Sequence, residues 1–283
     1  MDCGRHVLKG RRFKRSVTYW TLGLTEWNWS FERICETARD LGIESIELLP
    51  PEFFPKLAQY GLVCGLAMNG MPDPPFARGV NNVKHHEEII TRTRQAIDEC
   101  ANYRFPNVIA FVGYKWSDCM DPHSEEISRE HAIENSVKAL AELSPYAAKR
   151  GVNICLEHLN SRDDSHPMKG HPGYQGDDLT LCAEIIRRVN HPNLKLLFDV
   201  YHVQIMHGDV IRRLREYADL VGHVHTAGNP GRRELDDKQE IHYPGVAWAL
   251  DEIGYQGFIG HEFIPTHDPA QGLAQAIRLC ERA

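Results

Sequence analysis

"LKLLFDVYH", residues 194–202, is the stretch on which the fold of this chain turns. Leu194 to Phe198 make a short apolar run of the length of a buried strand, and Asp199 and His202 stand where the chain should turn. An acid at that place caps a following helix as readily as it serves a site, so the run alone permits both readings. Its neighbours decide. "VNICLEHLN" (152–160), "LVGHVHTAG" (220–228) and "FIGHEF" (258–263) are runs of the same kind, and they carry Glu157, His225 and Glu262 to their ends.

The same rhythm extends over the rest of the chain. "VTYWTL" (17–22), "IESIELL" (43–49), "LVCGLAMNG" (62–70) and "NVIAFVG" (107–113) read as four earlier strands. Helices are expected at 30–42, 51–60, 84–104, 126–150, 177–189, 208–218, 245–253 and 268–282. In the first of these Phe31, Ile34, Cys35, Ala38 and Leu41 recur at helical spacing. Apolar strands alternating with helices require a parallel sheet covered on both faces. Eight such units in about 250 residues predict an α/β fold, a (β/α)8 TIM barrel. A doubly wound sheet is the alternative, but no G-x-G-x-x-G follows the first strand.

The first residues are basic, "GRHVLKGRRFKRS", and contain Arg11-Arg12, as an export signal would. "VTYWTLGLTEWNW" comes next and is too polar for the apolar core of such a signal. Residues 1–15 therefore read as a basic, flexible N-terminal arm, and 16–283 as a single catalytic domain, since no Gly/Ser-rich linker divides it. No stretch approaches the roughly 20 apolar residues of a membrane span. The chain of 283 residues is 42% hydrophobic and 25% charged, as expected of a soluble globular protein. Its net charge of −7 and pI near 6.1 speak against a nucleic-acid partner. Eight scattered cysteines without a C-x-x-C point to a reduced, cytoplasmic protein.

In a barrel, site residues stand at the carboxyl ends of the strands. Glu157, Asp199, His225 and Glu262 each follow an apolar run and should project over one face. Taken singly, each acid reads as a cap or a salt-bridge partner, and His225 as a structural histidine. Together, three carboxylates converging there repel one another unless a cation neutralises them. One imidazole and three carboxylates suit one divalent ion, Mn²⁺ or Mg²⁺ ahead of Zn²⁺ or Co²⁺, and not copper.

"CLEHLNSRD", "LFDVYH", "GHVHTAGNPGR" with "QEIHY" downstream, and "GHEF" resemble the hydroxypyruvate isomerase branch of the xylose isomerase-like TIM barrels. The resemblance runs over about residues 16–265, and "IELLPP" at 46–51 resembles the family's second strand end more weakly. It implies that Glu157, Asp199, His225 and Glu262 hold a divalent metal. It also implies that Glu157 and Glu262 are the acid/base pair and that His202 and Arg232 contact substrate oxygens. The implied reaction is aldose–ketose isomerisation of a small hydroxy-oxo compound, hydroxypyruvate to tartronate semialdehyde. Two features depart from that branch. His225 stands where hydroxypyruvate isomerases carry glutamine and ketose 3-epimerases carry histidine, and residues 164–173, with His166 and His171, are an insertion.

The residues themselves suit this chemistry. Glu157 and Glu262 would flank a small substrate and move a proton between adjacent carbons through an enediolate. His202 lies on the first turn after its strand. Arg232, after "NPG", is read as presented at a loop tip, with Arg233 able to take its place. Trp20, Trp27 and Trp29 are candidate pocket walls, Glu240 a residue orienting a ligand or the loop, and "HHEE" (85–88) a solvated helix start. The loop 161–176 is long enough to be functional. A ketose 3-epimerase, a related dehydratase and a non-enzymatic sugar-binding barrel are the other readings. The partner expected is a small molecule, with no membrane and with homo-oligomers left open.

Overall fold

In a computed structural model of the chain, residues 13–281 are described. Seven strands form one parallel sheet: β1 (Lys14–Thr18), β2 (Ser45–Glu47), β3 (Asn107–Phe111), β4 (Asn153–Glu157), β5 (Leu194–Asp199), β6 (Val221–Thr226) and β7 (Phe258–His261). Their order is β2-β1-β7-β6-β5-β4-β3. Each step from β3 to β7 joins parallel neighbours through at least one helix, as a parallel crossover requires. Strand residues are almost all buried, because helices cover the outer face and side chains fill the inner one.

The expected third strand, 62–70, is not a regular strand. Ile46 N–H donates to Val63 O, while Ala67 N–H donates to Asn107 O, so the segment bridges β2 and β3. Side chains interrupt its ladder. Gly65 N–H donates to Ser45 Oγ at 2.7 Å, and Asn107 Nδ2 donates to Gly65 O at 2.8 Å.

The first strand also differs from its expected bounds of 17–22. Lys14 and Arg15 pair in register with Phe258 and Ile259 of β7, and a short helix, Tyr19–Gly23, replaces the later residues. These two basic residues were expected in the arm; residues 1–12 of that arm lie outside the described residues. The long helices fall where periodicity placed them, for instance His86–Tyr103, Arg129–Lys149 and Pro269–Cys280. Among the described residues no helix is long and apolar enough to cross a membrane. The seven cysteines described are buried and free, packed as small apolar groups.

Candidate metal and active site

Glu157 and Asp199 are the last residues of β4 and β5, His225 is next to last in β6, and Glu262 directly follows β7. Pairing of Asp199 with His225, and of His225 with Gly260, brings these ends level. One donor atom from each of the four lies within 4.8 Å of the others. All four are buried, none more than 5% exposed.

Asp199 shows how one residue serves both readings of "LFDVYH". Its Oδ1 caps the helix Val200–Met206, accepting from Tyr201 N–H at 2.8 Å and His202 N–H at 3.2 Å. Its Oδ2 faces the other way, 3.7 Å from Arg232 Nη2 and 3.6 Å from His202 Nε2.

His225 is oriented from behind by Glu47 of β2. A carboxylate only accepts, so the 3.1 Å contact between Glu47 Oε1 and His225 Nε2 places a proton on that nitrogen. Nδ1 is thereby turned to the carboxylates, 2.9 Å from Glu262 Oε2 and 3.5 Å from Glu157 Oε1, and makes no hydrogen bond. Burial opposes a charge on this ring, but Glu262, Glu157 and Glu47 together raise its pKa well above the ordinary value. Glu47 itself is held by His223 Nε2 at 3.1 Å and by Ser16 Oγ at 2.8 Å. Its room exists because residue 260 is glycine: a Cβ there would lie 1.9 Å from Glu47 Oε1.

Glu262 is clamped. Trp20 Nε1 donates to its Oε1 at 2.8 Å and Arg232 Nη2 to its Oε2 at 2.5 Å. Burial pushes its pKa up, but Arg232, His225 and Trp20 outweigh burial and bring it down to about 2. Glu157 has no such clamp. Burial, helped by the charges of Glu262 and Asp199, raises it to about 7 against the pull of His225. Asp199 is likewise raised to about 6, by burial first and with Arg232 opposing.

His202 is completely buried, and its Nδ1 accepts from Asn160 N–H at 3.1 Å. The ring proton of the neutral imidazole therefore sits on Nε2, which is aimed past Asp199 into the site and has no hydrogen-bond partner. Burial and Arg232 lower its pKa well below the usual range, so it stays neutral.

The structure brings together all six residues expected at the site. It corrects the setting of Arg232, which is 3% exposed and not at an exposed loop tip. The turn Gly228–Arg233 folds it inward with φ of 54°, a conformation costly for a long side chain and held here by its carboxylate partners. Arg233 makes the main-chain bridge of that turn and is not in the cluster. Glu240 lies outside too, accepting from Asn229 Nδ2 at 2.5 Å and so bracing the turn. Of the three tryptophans only Trp20 touches a site carboxylate. Trp27 donates to Pro265 O, and Trp29 stacks with Arg33. "HHEE" opens the helix His86–Tyr103; Glu88 pairs with Arg78 and Arg92 there. In the insertion His166 is exposed, whereas His171 is buried beside His202. Glu47 is not among the expected site residues; its signals in the sequence are the acid in the apolar "SIELL" (45–49) and the weak family resemblance of "IELLPP" (46–51).

The residues fit a divalent cation. Three oxygen donors and one imidazole nitrogen converge, and the orphaned, fully buried Nδ1 of His225 has its opposite nitrogen fixed by a carboxylate, the usual arrangement behind a metal-bound histidine.

Comparison with known proteins gives the family of the chain. The family model described as "Xylose isomerase-like TIM barrel" matches residues 35–283. The 2-oxo-tetronate isomerase of Cupriavidus necator is 38% identical over 131 residues, 45% of this chain and 46% of that protein. The hydroxypyruvate isomerase of Escherichia coli is 30% identical over 138 residues, 47% of this chain and 50% of that one. The chain thus spans about half the length of these relatives. In fold it is similar to a crystal structure titled AP endonuclease, family 2, from Brucella melitensis. The TM-score is 0.77 at 24% identity, over 93% of this chain and 97% of that chain.

Proposed function

Because the chain belongs to the xylose isomerase-like TIM barrel family, we propose that it is a metal-dependent isomerase of a small hydroxy-oxo compound, with hydroxypyruvate and tartronate semialdehyde as the pair. We read the bridging segment 62–67 as the eighth position of a complete (β/α)8 barrel, with residues 16–283 as one catalytic domain. The names of two relatives, hydroxypyruvate isomerase and 2-oxo-tetronate isomerase, support an isomerase of this type. The observation that carries the proposal is the pair Glu157 and Glu262. Both reach the same imidazole nitrogen, yet their proton affinities are pushed in opposite directions.

Glu157, Asp199, His225 and Glu262 would hold the ion, Mn²⁺ or Mg²⁺ ahead of Zn²⁺ or Co²⁺. A cation there supplies Lewis-acid stabilisation of the negative charge that develops on the substrate oxygens. The proton transfers belong to the chain. Glu262, held ionised by Arg232, His225 and Trp20, takes the proton from the hydroxymethyl carbon, and Glu262 itself or Glu157 delivers a proton at the keto carbon. The hydroxyl proton moves between the two oxygens in the same sense, so the enediolate collapses to an aldehyde without any oxidant. His202 Nε2–H donates to a substrate oxygen. Arg232 holds Glu262 in place, and its remaining N–H groups face a carboxylate or hydroxyl. The site is walled by buried side chains, and we read the protein as a soluble, cytoplasmic enzyme of small-molecule metabolism.

A ketose 3-epimerase is the second reading, favoured by the imidazole of His225 in the ligand set. Both are tested by incubating the protein with hydroxypyruvate, 2-oxo-tetronate and a panel of ketoses in D₂O with added Mn²⁺ or Mg²⁺. Metal-dependent deuterium uptake with tartronate semialdehyde as product is expected. Inversion of a ketose without isomerisation of the acids would select the epimerase, and no exchange with any of them would defeat both readings.

A further inference from the structure

The loop between β4 and the helix Leu179–Val189 runs directly over the site. Met168 O accepts from Arg232 Nη1 at 2.5 Å. Lys169 O accepts from Asn160 Nδ2 at 2.7 Å and from the Tyr201 hydroxyl at 2.9 Å. Tyr174, just beyond, donates its hydroxyl to Glu157 O at 2.9 Å. The turn is tight enough that residue 170 must be glycine, since a Cβ there would meet Asp163 O at 2.2 Å and Asn160 Oδ1 at 2.5 Å. The loop 161–176 is thus a fixed roof, bonded to the carbonyl of Glu157 and to Arg232 beside Glu262.

This anchoring turns His171 inward. It is 4% exposed, with its ring centroid 4.1 Å from that of Phe76 and 5.9 Å from that of His202. Its main chain is satisfied: His171 N–H donates to Asn160 O at 2.8 Å and its carbonyl accepts from Tyr174 N–H at 2.9 Å. Among the described residues, its ring nitrogens have no hydrogen-bond partner in the protein. Its ring nitrogens are not sealed from solvent, so a ligand entering the site can replace the water that meets them. Burial first, and then Arg232, lower its pKa to about 3. A neutral ring offers one donor and one acceptor, which matches a hydroxyl or keto oxygen.

We propose that His171 is a substrate-contacting, specificity-determining residue, which together with His202 binds the hydroxyl or keto oxygens of a small substrate under the roof of residues 161–176. The assignment rests on the isomerase reading of the site. His202 contributes a donor only, because its Nδ1 is occupied by Asn160, whereas His171 can answer either polarity. The two rings, on different elements, face the substrate from the insertion and from the helix after β5.

The test uses the Mn²⁺-loaded parent chain with His171→Phe, which keeps an aromatic ring against Phe76, and His171→Gln, which restores a donor and an acceptor. KM, kcat and calorimetric binding are measured for hydroxypyruvate and 2-oxo-tetronate, with Mn²⁺ affinity and thermal midpoint measured alongside. His171→Phe should raise KM and weaken binding about tenfold, the usual worth of one neutral hydrogen bond, with Mn²⁺ affinity unchanged. His171→Gln should recover most of the loss. Unchanged KM and binding in His171→Phe would make the residue mere packing and overturn the proposal. So would a loss confined to Mn²⁺ affinity or thermal midpoint, or a His171→Gln no better than His171→Phe. If the parent binds neither acid, the isomerase reading falls and takes this contact with it; if the parent binds and His171→Phe binds equally, only the contact falls.

Discussion

Glu262 takes three roles at the scale of a single residue: candidate ligand, candidate base, and anchor for Trp20 and Arg232. Glu262→Gln keeps the shape and one oxygen donor but removes the proton acceptor. Metal affinity should weaken, and turnover at saturating metal should fall by roughly 10²–10⁴-fold, the usual worth of a general base. Loss of substrate deuterium exchange should run in parallel; exchange at the parent rate would leave Glu262 a ligand only and Glu157 the sole proton carrier. Asp199→Ala separates ligand from cap. It removes the oxygen aimed at the site and also the bonds to Tyr201 and His202, so bound metal and thermal stability should drop together. Metal stoichiometry by atomic absorption checks the first effect, and an undiminished ion content would count against this site.

At the scale of elements, the site depends on how the Glu47 side chain of β2 reaches over β1 to β7. Gly260 leaves the space in which Glu47 Oε1 meets His225. Gly260→Ala places a methyl group 1.9 Å from that oxygen, so Glu47 or the strand must move. Overpacking of this kind costs about 1–3 kcal/mol, read from urea unfolding. Because Glu47 holds His225, Mn²⁺ affinity should fall as well. Glu47→Gln, which keeps the volume, should lower Mn²⁺ affinity by roughly 10–100-fold, as loss of a histidine's outer partner usually does. Mn²⁺ affinity equal to the parent's in both variants would remove Glu47 from the metal's support. The sheet itself is largely readable, because parallel strands buried on both faces leave apolar runs such as "VIAF" (108–111) and "LLF" (196–198). The segment 62–70 is not, because its apolar pattern says nothing of Ser45 and Asn107 replacing the ladder bonds. Nor is β1, whose Lys14 and Arg15 look like a solvated arm until β7 pairs with them.

For the whole molecule, the buried charges predict how stability responds to pH and metal. Glu157 is raised from 4.5 to about 7 and Asp199 from 3.8 to about 6, burial being the first cause of each. A carboxyl whose folded pKa is raised contributes stability that is fully present below its unfolded pKa and lost as pH rises through the folded one. In metal-stripped protein these two contributions should therefore fade between about pH 4 and pH 7. Glu262, lowered to about 2 because Arg232, His225 and Trp20 overcome its burial, has the opposite sign and loses its contribution as pH falls from 4.5 towards 2. A divalent cation competes with protons at Glu157, Asp199 and His225, so its binding releases protons and strengthens with pH. The thermal midpoint should thus rise more on adding Mn²⁺ at pH 8 than at pH 5; equal increments at both would exclude these acids as its ligands.

The sequence by itself determined the alternation of apolar runs and amphipathic helices, and with it the class of fold and the placing of Glu157, Asp199, His225 and Glu262 at strand ends. Those properties are local: burial is written into each short segment by the spacing of its own apolar residues. Only the tertiary structure decided which atom of each residue faces the site. His225 Nδ1 points at the carboxylates because Glu47, 178 positions earlier in the chain, accepts the hydrogen bond of Nε2–H. Glu262 and Glu157 part in acidity because Trp20 and Arg232 reach one of them and not the other. Tautomers, clamps and the inward turn of His171 depend on partners that sheet and loop bring together from distant segments, and no periodicity within a segment carries that information.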